Sequence, residues 1–381
     1  MTGPDIAGYA AKIELPDQAA RAAAAEQLGR RGSPLGRLGD LAVWLAGCQG
    51  SFPPKPITHP RLVIFAADHG IAAAGVSAQP AGATAARARL IAGGGDAAGV
   101  LAAELGVPVE VVDVGIAGEA GGHVTGAYKV RRGSGRIDRE DALTEDEAVA
   151  AFNAGARTAD AAVDSGADLL LTGTIGVAAT TAAAALTGML TGSDAAVVTG
   201  RGSGVDDRAW MRKCAAVRDA MRRARPVVSD RLRLLAVAGG ADLAAVTGFL
   251  LQAAVRRTPV VLDDVTVSAS ALVAQRIAYR APEWWIAGQS TAEPAHQRAL
   301  ERLALTTATD LGTNLGAGVG ALLCLPSLRA AAVLPAVISE DAPYSEVSDV
   351  APGPDAGSVS LTDTADGGNP PEADMNGHRE L

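Results

Sequence analysis

Short apolar runs alternate with longer helical patterns along this chain. They predict an α/β fold, a mostly parallel, Rossmann-like sheet with helices on both faces. Two further observations agree. Hydrophobic residues make up 48% of the 381 residues but aromatics only 3%, so the core is built from small aliphatics that allow close helix–sheet packing. Glycine-rich or acidic loops follow the strand-like runs, as they do at the carboxyl edge of such sheets.

The elements follow in order. Ile6–Leu28 and Leu35–Leu45 read as amphipathic helices before any strand. Arg61–Ala66 is a buried strand, and Ala83–Leu105 a helix broken by the glycines at 93–95. Val107–Val114 is a second strand, with Pro108 at its start, where a missing N–H is tolerated. Asp146–Gly166 is a helix, Ala167–Thr172 a third strand and Thr180–Leu190 a helix. Ala195–Val198 reads as a strand, Arg208–Arg223 and Leu243–Arg256 as helices, and Pro259–Leu262 as another strand. Ala295–Leu305 and Gly320–Leu334 close the ordered part as helices. Trp284 and Trp285 follow a turn at Ala281-Pro282-Glu283 and read as packing residues, while Arg222, Arg223 and Arg225 read as a solvated helix end.

Charge and cysteine content narrow the function. The net charge is −9, and residues 340–381 hold ten acids against the single base Arg379, so that segment carries all of it. A neutral body without a basic stripe argues against nucleic-acid partners. The acidic segment, rich in Pro, Gly, Ser and Asp, is expected to be disordered. Cys48, Cys214 and Cys324 are far apart and without metal spacing, which suits a reducing cytoplasm. No signal pattern and no apolar run of membrane-spanning length are expected, so no membrane partner is either. Walker A, His-Glu-x-x-His, serine-elbow and dinucleotide patterns do not occur, and neither metal nor cofactor is expected.

The polar residues gather in the loops. Asp68 and His69 follow the first strand, and Asp113-Val114-Gly115 ends the second. Gly173-Thr174-Ile175-Gly176 leads into Thr180-Thr181 after the third, and Asp263-Asp264 follows the last. Gly200-Arg201-Gly202-Ser203-Gly204 has three glycines in five residues, which lets backbone N–H groups point at a phosphate. Asn314 to Gly320 is another glycine run. Each feature has a plainer reading: a loop acid is usually a helix cap, and His69 more simply fixes local backbone. Glu293, before the helix that holds His296, more simply favours the helix dipole.

Together these pieces resemble the nicotinate-nucleotide:dimethylbenzimidazole phosphoribosyltransferases of cobalamin biosynthesis. The resemblance runs from about Gly32 to Leu334 and includes Gly32-Ser33-Pro34-Leu35-Gly36-Arg37-Leu38, Ala67-Asp68-His69-Gly70 and Gly75-Val76-Ser77. It continues through Lys213, Gly239-Gly240-Ala241-Asp242-Leu243, Val261-Leu262-Asp263, Ala292-Glu293-Pro294 and Gly316 to Ala321. It implies transfer of a 5-phosphoribosyl group from nicotinate mononucleotide to a benzimidazole nitrogen, with inversion and without metal, giving ribazole phosphate. It implies a homodimer too. A small helical lobe from residues 5–50 and 300–335 would then join a phosphoribosyl-binding α/β domain over 51–299.

Carried over by position, Gly176, Thr180, Thr181, Gly202, Ser203, Gly204 and Lys213 would hold the donor phosphate and ribose. Gln79, Arg87, Leu315, Gly316 and Ala317 would line the acceptor pocket. Asp68, His69, Asp242, Asp263 and Glu293 would sit in neighbouring site loops. The chain departs from the pattern in places. The family's glutamate between two glycines is Ala317, its Gly-Glu-x-Gly acid is Thr174, and its small residue after Asp263 is Asp264. Its acceptor-loop serine and glutamine are Gln79 and Arg87. The catalytic residue is therefore unassigned, with Asp264 the candidate substitute. Three readings follow: the family's transferase, a paralogue with a different acceptor such as an anionic one, or a non-catalytic nucleotide binder.

Overall fold

The computed structural model describes residues 6–29, 35–80 and 82–339. Gly32, Ser33 and Pro34 of the first quoted motif, and the acidic segment 340–381, lie outside the described residues. Helices α1 (Ile6–Lys12), α2 (Gln18–Gly29) and α3 (Arg37–Gln49) precede strand β1 (Pro60–Ala67). Then come α4 (Ala83–Ala92), α5 (Ala97–Glu104), β2 (Val109–Gly115), α6 (Glu145–Asp164) and β3 (Leu169–Ile175). Next are α7 (Ala179–Thr191), α8 (Ala195–Val198), α9 (Asp207–Ala224), α10 (Arg231–Ala238) and α11 (Ala241–Val255). The described chain ends with β4 (Val260–Leu262), α12 (Val265–Ile277), β5 (Trp285–Ala287), α13 (Pro294–Leu303) and α14 (Val319–Ser339).

The five strands among the described residues are all parallel, in the order β2-β1-β3-β4-β5. Their side chains alternate between two cores, as the period of two requires. Val63, Phe65, Val112, Val114 and Leu170 face the core that holds α6, α11 and α12. Leu62, Ile64, Val111, Leu171 and Val261 face the core shared with α3, α4 and α14. Small residues set the spacing in the first core. A Cβ on Gly155 of α6 would fall 1.7 Å from the Ala245 carbonyl oxygen of α11, and one on Gly248 would fall 2.0 Å from that of Phe152. These helices cross with their backbones nearly touching.

Local signals explain the boundaries. Thr144 and Glu147 form a reciprocal capping box at the start of α6. The Asp96 carboxylate accepts the Ala98 N–H and restarts the helix after the glycines at 93–95 as α5.

Four expectations change. Ile6–Leu28, read as one helix, is two, α1 and α2, separated at residues 13–17 around Pro16, whose missing N–H and ring do not fit a helix interior. Ala195–Val198 is not a strand but the short helix α8, and the place beside β3 is taken by β4. The residues around Trp285, read only as packing, form the edge strand β5; both Trp284 and Trp285 are buried. Val319–Val337, with mean hydropathy 1.7, is long and apolar enough to cross a membrane, contrary to the expectation of no such run. Over half of that stretch is buried against the sheet and its neighbours, as in a core helix.

Candidate active site

The strand order reverses between β1 and β3, where the connections leave toward opposite ends of the sheet. Crevices for ligands open at such points, beyond the carboxyl ends of the strands. A cleft of about 450 Å³ lies there. Val76, Ser77 and Gln79 reach it after β1, and Thr84 and Arg87 from α4. The β3–α7 turn supplies Thr174 to Thr180, and Gly202 and Ser203 come from the glycine loop. Asp264 and Thr266 follow β4, and Asn314, Leu315 and Gly316 complete the wall.

Glycine shapes the first side. A Cβ on Gly176 would lie 2.3 Å from the Ala67 carbonyl oxygen, so only glycine lets this turn lie against the end of β1. Gly202 has φ 53°, and a Cβ there would lie 2.7 Å from both Lys213 Nζ and Thr180 Oγ1. Lys213 is fully buried on α9, one atomic layer behind this wall. Its ammonium donates to Thr180 Oγ1 at 2.8 Å and makes no ion pair among the described residues. Burial pushes its pKa down, and the charge of nearby Glu293 only partly offsets that. Glu293 Oε1 accepts the Gly202 N–H at 2.7 Å. Ser203 Oγ accepts the Ala78 N–H at 2.8 Å and ties the glycine loop to the loop after β1. Helix α9 is capped by its own Asp206, whose carboxylate accepts the Ala209 N–H at 2.7 Å.

The opposite side carries acid. Asp263 is fully buried, and its carboxylate accepts the N–H groups of Gly318 and Gly320, each at 2.7 Å. Burial and the charge of Asp264 push its pKa up to about 7. Asp264 caps α12: its Oδ1 accepts the N–H of Thr266 at 3.0 Å and of Val267 at 3.3 Å. Burial raises its pKa too, against the hydrogen bonds from Thr266 and Val267 and the charge of Arg87. The Thr266 hydroxyl donates to the same oxygen at 2.5 Å, and Thr174 Oγ1 lies 2.5 Å from Thr266 Oγ1. Arg87 is engaged by Asp96 at 3.1 Å and by the Leu315 carbonyl at 2.9 Å.

Behind the cleft, His69 Nε2 meets Asp242 Oδ2 at 3.0 Å in a fully buried pair. Burial alone would lower the His69 pKa, but the charge and hydrogen bond of Asp242, with Asp68, raise it overall. Asp68 accepts the Thr84 hydroxyl and the Ala117 N–H. It thereby locks the β1 loop to α4, which carries Arg87.

A family model described as Phosphoribosyltransferase matches residues 13–342. The nicotinate-nucleotide–dimethylbenzimidazole phosphoribosyltransferase of Streptomyces avermitilis is 52% identical over 342 residues, 88% of this chain and 91% of its own. This chain belongs to the nicotinate-nucleotide:dimethylbenzimidazole phosphoribosyltransferase family. It is similar also to the Mycobacterium tuberculosis protein of that name, 49% identical over 339 residues, 88% of this chain and 93% of the other. A solved structure from Thermus thermophilus with the same name aligns with a TM-score of 0.79 and 36% identity, over 84% of this chain and 96% of that one. By membership this chain is a transferase of the phosphoribosyltransferase kind.

Family positions fall unevenly around the cleft. Gln79, Arg87, Gly176, Thr180, Gly202, Ser203, Leu315 and Gly316 line it, together with Asp264. Lys213, Asp263 and Glu293 stand behind the wall, while Gly204 and the fully buried Thr181 are not part of it. Asp68, His69 and Asp242 act from beneath. Ala317 is fully buried at φ 56° among apolar neighbours and does not reach the cleft. Sequence reading did not single out Thr84 or Thr266. Only Thr266 carried a signal, its place two residues beyond Asp264, where a capping partner belongs; Thr84 is 16 residues from its partner Asp68 and carried none.

Proposed function

We propose that this chain transfers the 5-phosphoribosyl group of nicotinate mononucleotide to 5,6-dimethylbenzimidazole or a close benzimidazole, releasing nicotinate. The names of the relatives supply the substrates. The observation that carries the reading is Lys213, a buried cation without a contacting counter-ion among the described residues, directly behind Gly202 and Thr180. Such a charge is costly to bury alone and favours an anion in front of it. The donor phosphate sits against Gly176, Gly202, Ser203 and Thr180, within reach of the Lys213 field. The ribose lies toward Asp264, the only carboxylate among the described residues lining the cleft. There its charge favours the oxocarbenium character of the reacting carbon, and its basicity serves the acceptor N–H. Asp264 thus both caps α12 and acts as general base.

The alternative of an anionic acceptor drawn by Arg87 gains little, because Asp96 and the Leu315 carbonyl already occupy that guanidinium. We further propose a cytoplasmic homodimer, with a small lobe from residues 5–50 and 300–335 beside the domain 51–299. Three free cysteines support the compartment. Exposed Leu90 and Leu311, each three residues along the chain from a cleft residue (Arg87 and Asn314), and exposed Leu315 of the cleft wall support a partner copy.

The test mixes protein, nicotinate mononucleotide and 5,6-dimethylbenzimidazole and follows both products by chromatography. Equimolar nicotinate and ribazole phosphate are expected. A protein that binds the donor by calorimetry yet transfers it to no benzimidazole overturns the proposal.

A further inference from the structure

Resting on that reading, we propose that Thr174 and Thr266 form a hydroxyl relay that carries the acceptor proton to Asp264. Thr174, Thr266 and Asp264 all line the cleft and come from two neighbouring strand ends, those of β3 and β4. Thr174 Oγ1 lies 2.5 Å from Thr266 Oγ1, and the Thr266 hydroxyl donates to Asp264 Oδ1 at 2.5 Å. That last bond orients the rest. With its own proton given to the carboxylate, Thr266 Oγ1 is left to accept from Thr174, and Thr174 Oγ1 in turn accepts from the cleft. Both threonines are nearly fully buried, so bulk water does not compete with these bonds along the chain. Asp264 Oδ1 is engaged by its capping donors, so the hydroxyl path is the built route to that oxygen, while Oδ2 lies toward Gly316 of the cleft wall and offers the direct route against which the valine variants discriminate.

The step balances. One benzimidazole nitrogen forms the bond to the ribosyl anomeric carbon, and the bond to nicotinate breaks with its electron pair going to the pyridine nitrogen. The N–H bond on the other benzimidazole nitrogen breaks. Its proton passes to Thr174 Oγ1, the Thr174 proton to Thr266 Oγ1, and the Thr266 proton to Asp264 Oδ1. Asp264 ends as the acid and is restored by solvent after product release. In this scheme Thr174 touches the acceptor, and Thr266 is a positioning residue that acts through it.

Thr174→Val and Thr266→Val keep shape and remove one hydroxyl each, and the Thr266 backbone N–H still caps α12. Each is expected to lower kcat at least tenfold with KM for nicotinate mononucleotide unchanged. Thr174→Ser and Thr266→Ser are expected to restore most of the rate. The acid limb of the kcat–pH profile, set by Asp264, is expected to disappear in the valine variants. A benzimidazole with a more acidic N–H is expected to shrink their deficit. Valine variants at full kcat, beside a slow Asp264→Asn protein, overturn the relay and leave the base assignment standing. If Asp264→Asn is fast as well, the base assignment falls with it. Serine variants as slow as the valine ones also overturn the relay, since packing rather than the hydroxyl then matters.

Discussion

Replacing Lys213 by methionine removes one charge and little volume. The side chain is fully buried, and its only hydrogen bond among the described residues goes to a neutral hydroxyl, Thr180 Oγ1 at 2.8 Å. Exchanging a buried charged group for a well-packed apolar one is often neutral or stabilising, so the fold should hold. The donor phosphate loses more. The charge acts from behind the wall, so a direct hydrogen bond to a charged group, about 1.5–3 kcal/mol, is the ceiling of its contribution. The dissociation constant for nicotinate mononucleotide should therefore weaken by roughly tenfold, and by no more than about 150-fold. The acceptor, which makes no use of this charge, should bind as before. Titration calorimetry with each substrate separately, beside thermal unfolding of both proteins, reads all three quantities. Unchanged donor affinity in a folded Lys213→Met protein would refute the assignment, because the cation would then lie outside the phosphate's reach.

Other perturbations test the frame around the site. Gly248→Ala places a methyl 2.0 Å from the Phe152 carbonyl and must push α6 from α11; a loss of about 1–3 kcal/mol is expected, read as a fall of several degrees in Tm. An unchanged Tm would mean that the two helices do not touch there. His296 is fully buried, and burial pushes its pKa down to about 4. Its stabilising contribution is therefore whole above its ordinary value of 6.5 and lost as pH falls from there through about 4. His296→Leu should show a shallower acid-side loss of stability in that window, and an equally steep loss contradicts the argument.

Much of the architecture was legible because parallel strands buried on both faces are short apolar runs set between helices. Residues 61–66, 169–172 and 260–262 showed this pattern directly. Ala195–Val198 showed it too and is helical, because a four-residue apolar run does not record whether a neighbouring strand has room for it. Strand β5 is three residues long, too short to alternate visibly. The cleft was legible as a set of loops: glycine patterns marked Gly176 and Gly202, and a strand-end acid marked Asp264. What the sequence could not show was depth. Lys213 and Ala317 both sit behind the wall, and Thr174 and Thr266 are 92 residues apart yet share a hydrogen bond. Burial and long-range pairing of this kind depend on how α9, α12 and the 312–318 loop pack, which no local pattern encodes.

The most direct test of the account compares Asp264→Asn with the native protein in single-turnover transfer from nicotinate mononucleotide to 5,6-dimethylbenzimidazole. Asparagine caps a helix about as well as aspartate, so α12 and the cleft wall are preserved while the base is removed. Transfer should slow by about 10²–10⁴-fold with donor affinity unchanged. An Asp264→Asn protein that transfers at the native rate would contradict the claim that this carboxylate runs the reaction, and would return Asp264 to the role of a helix cap alone.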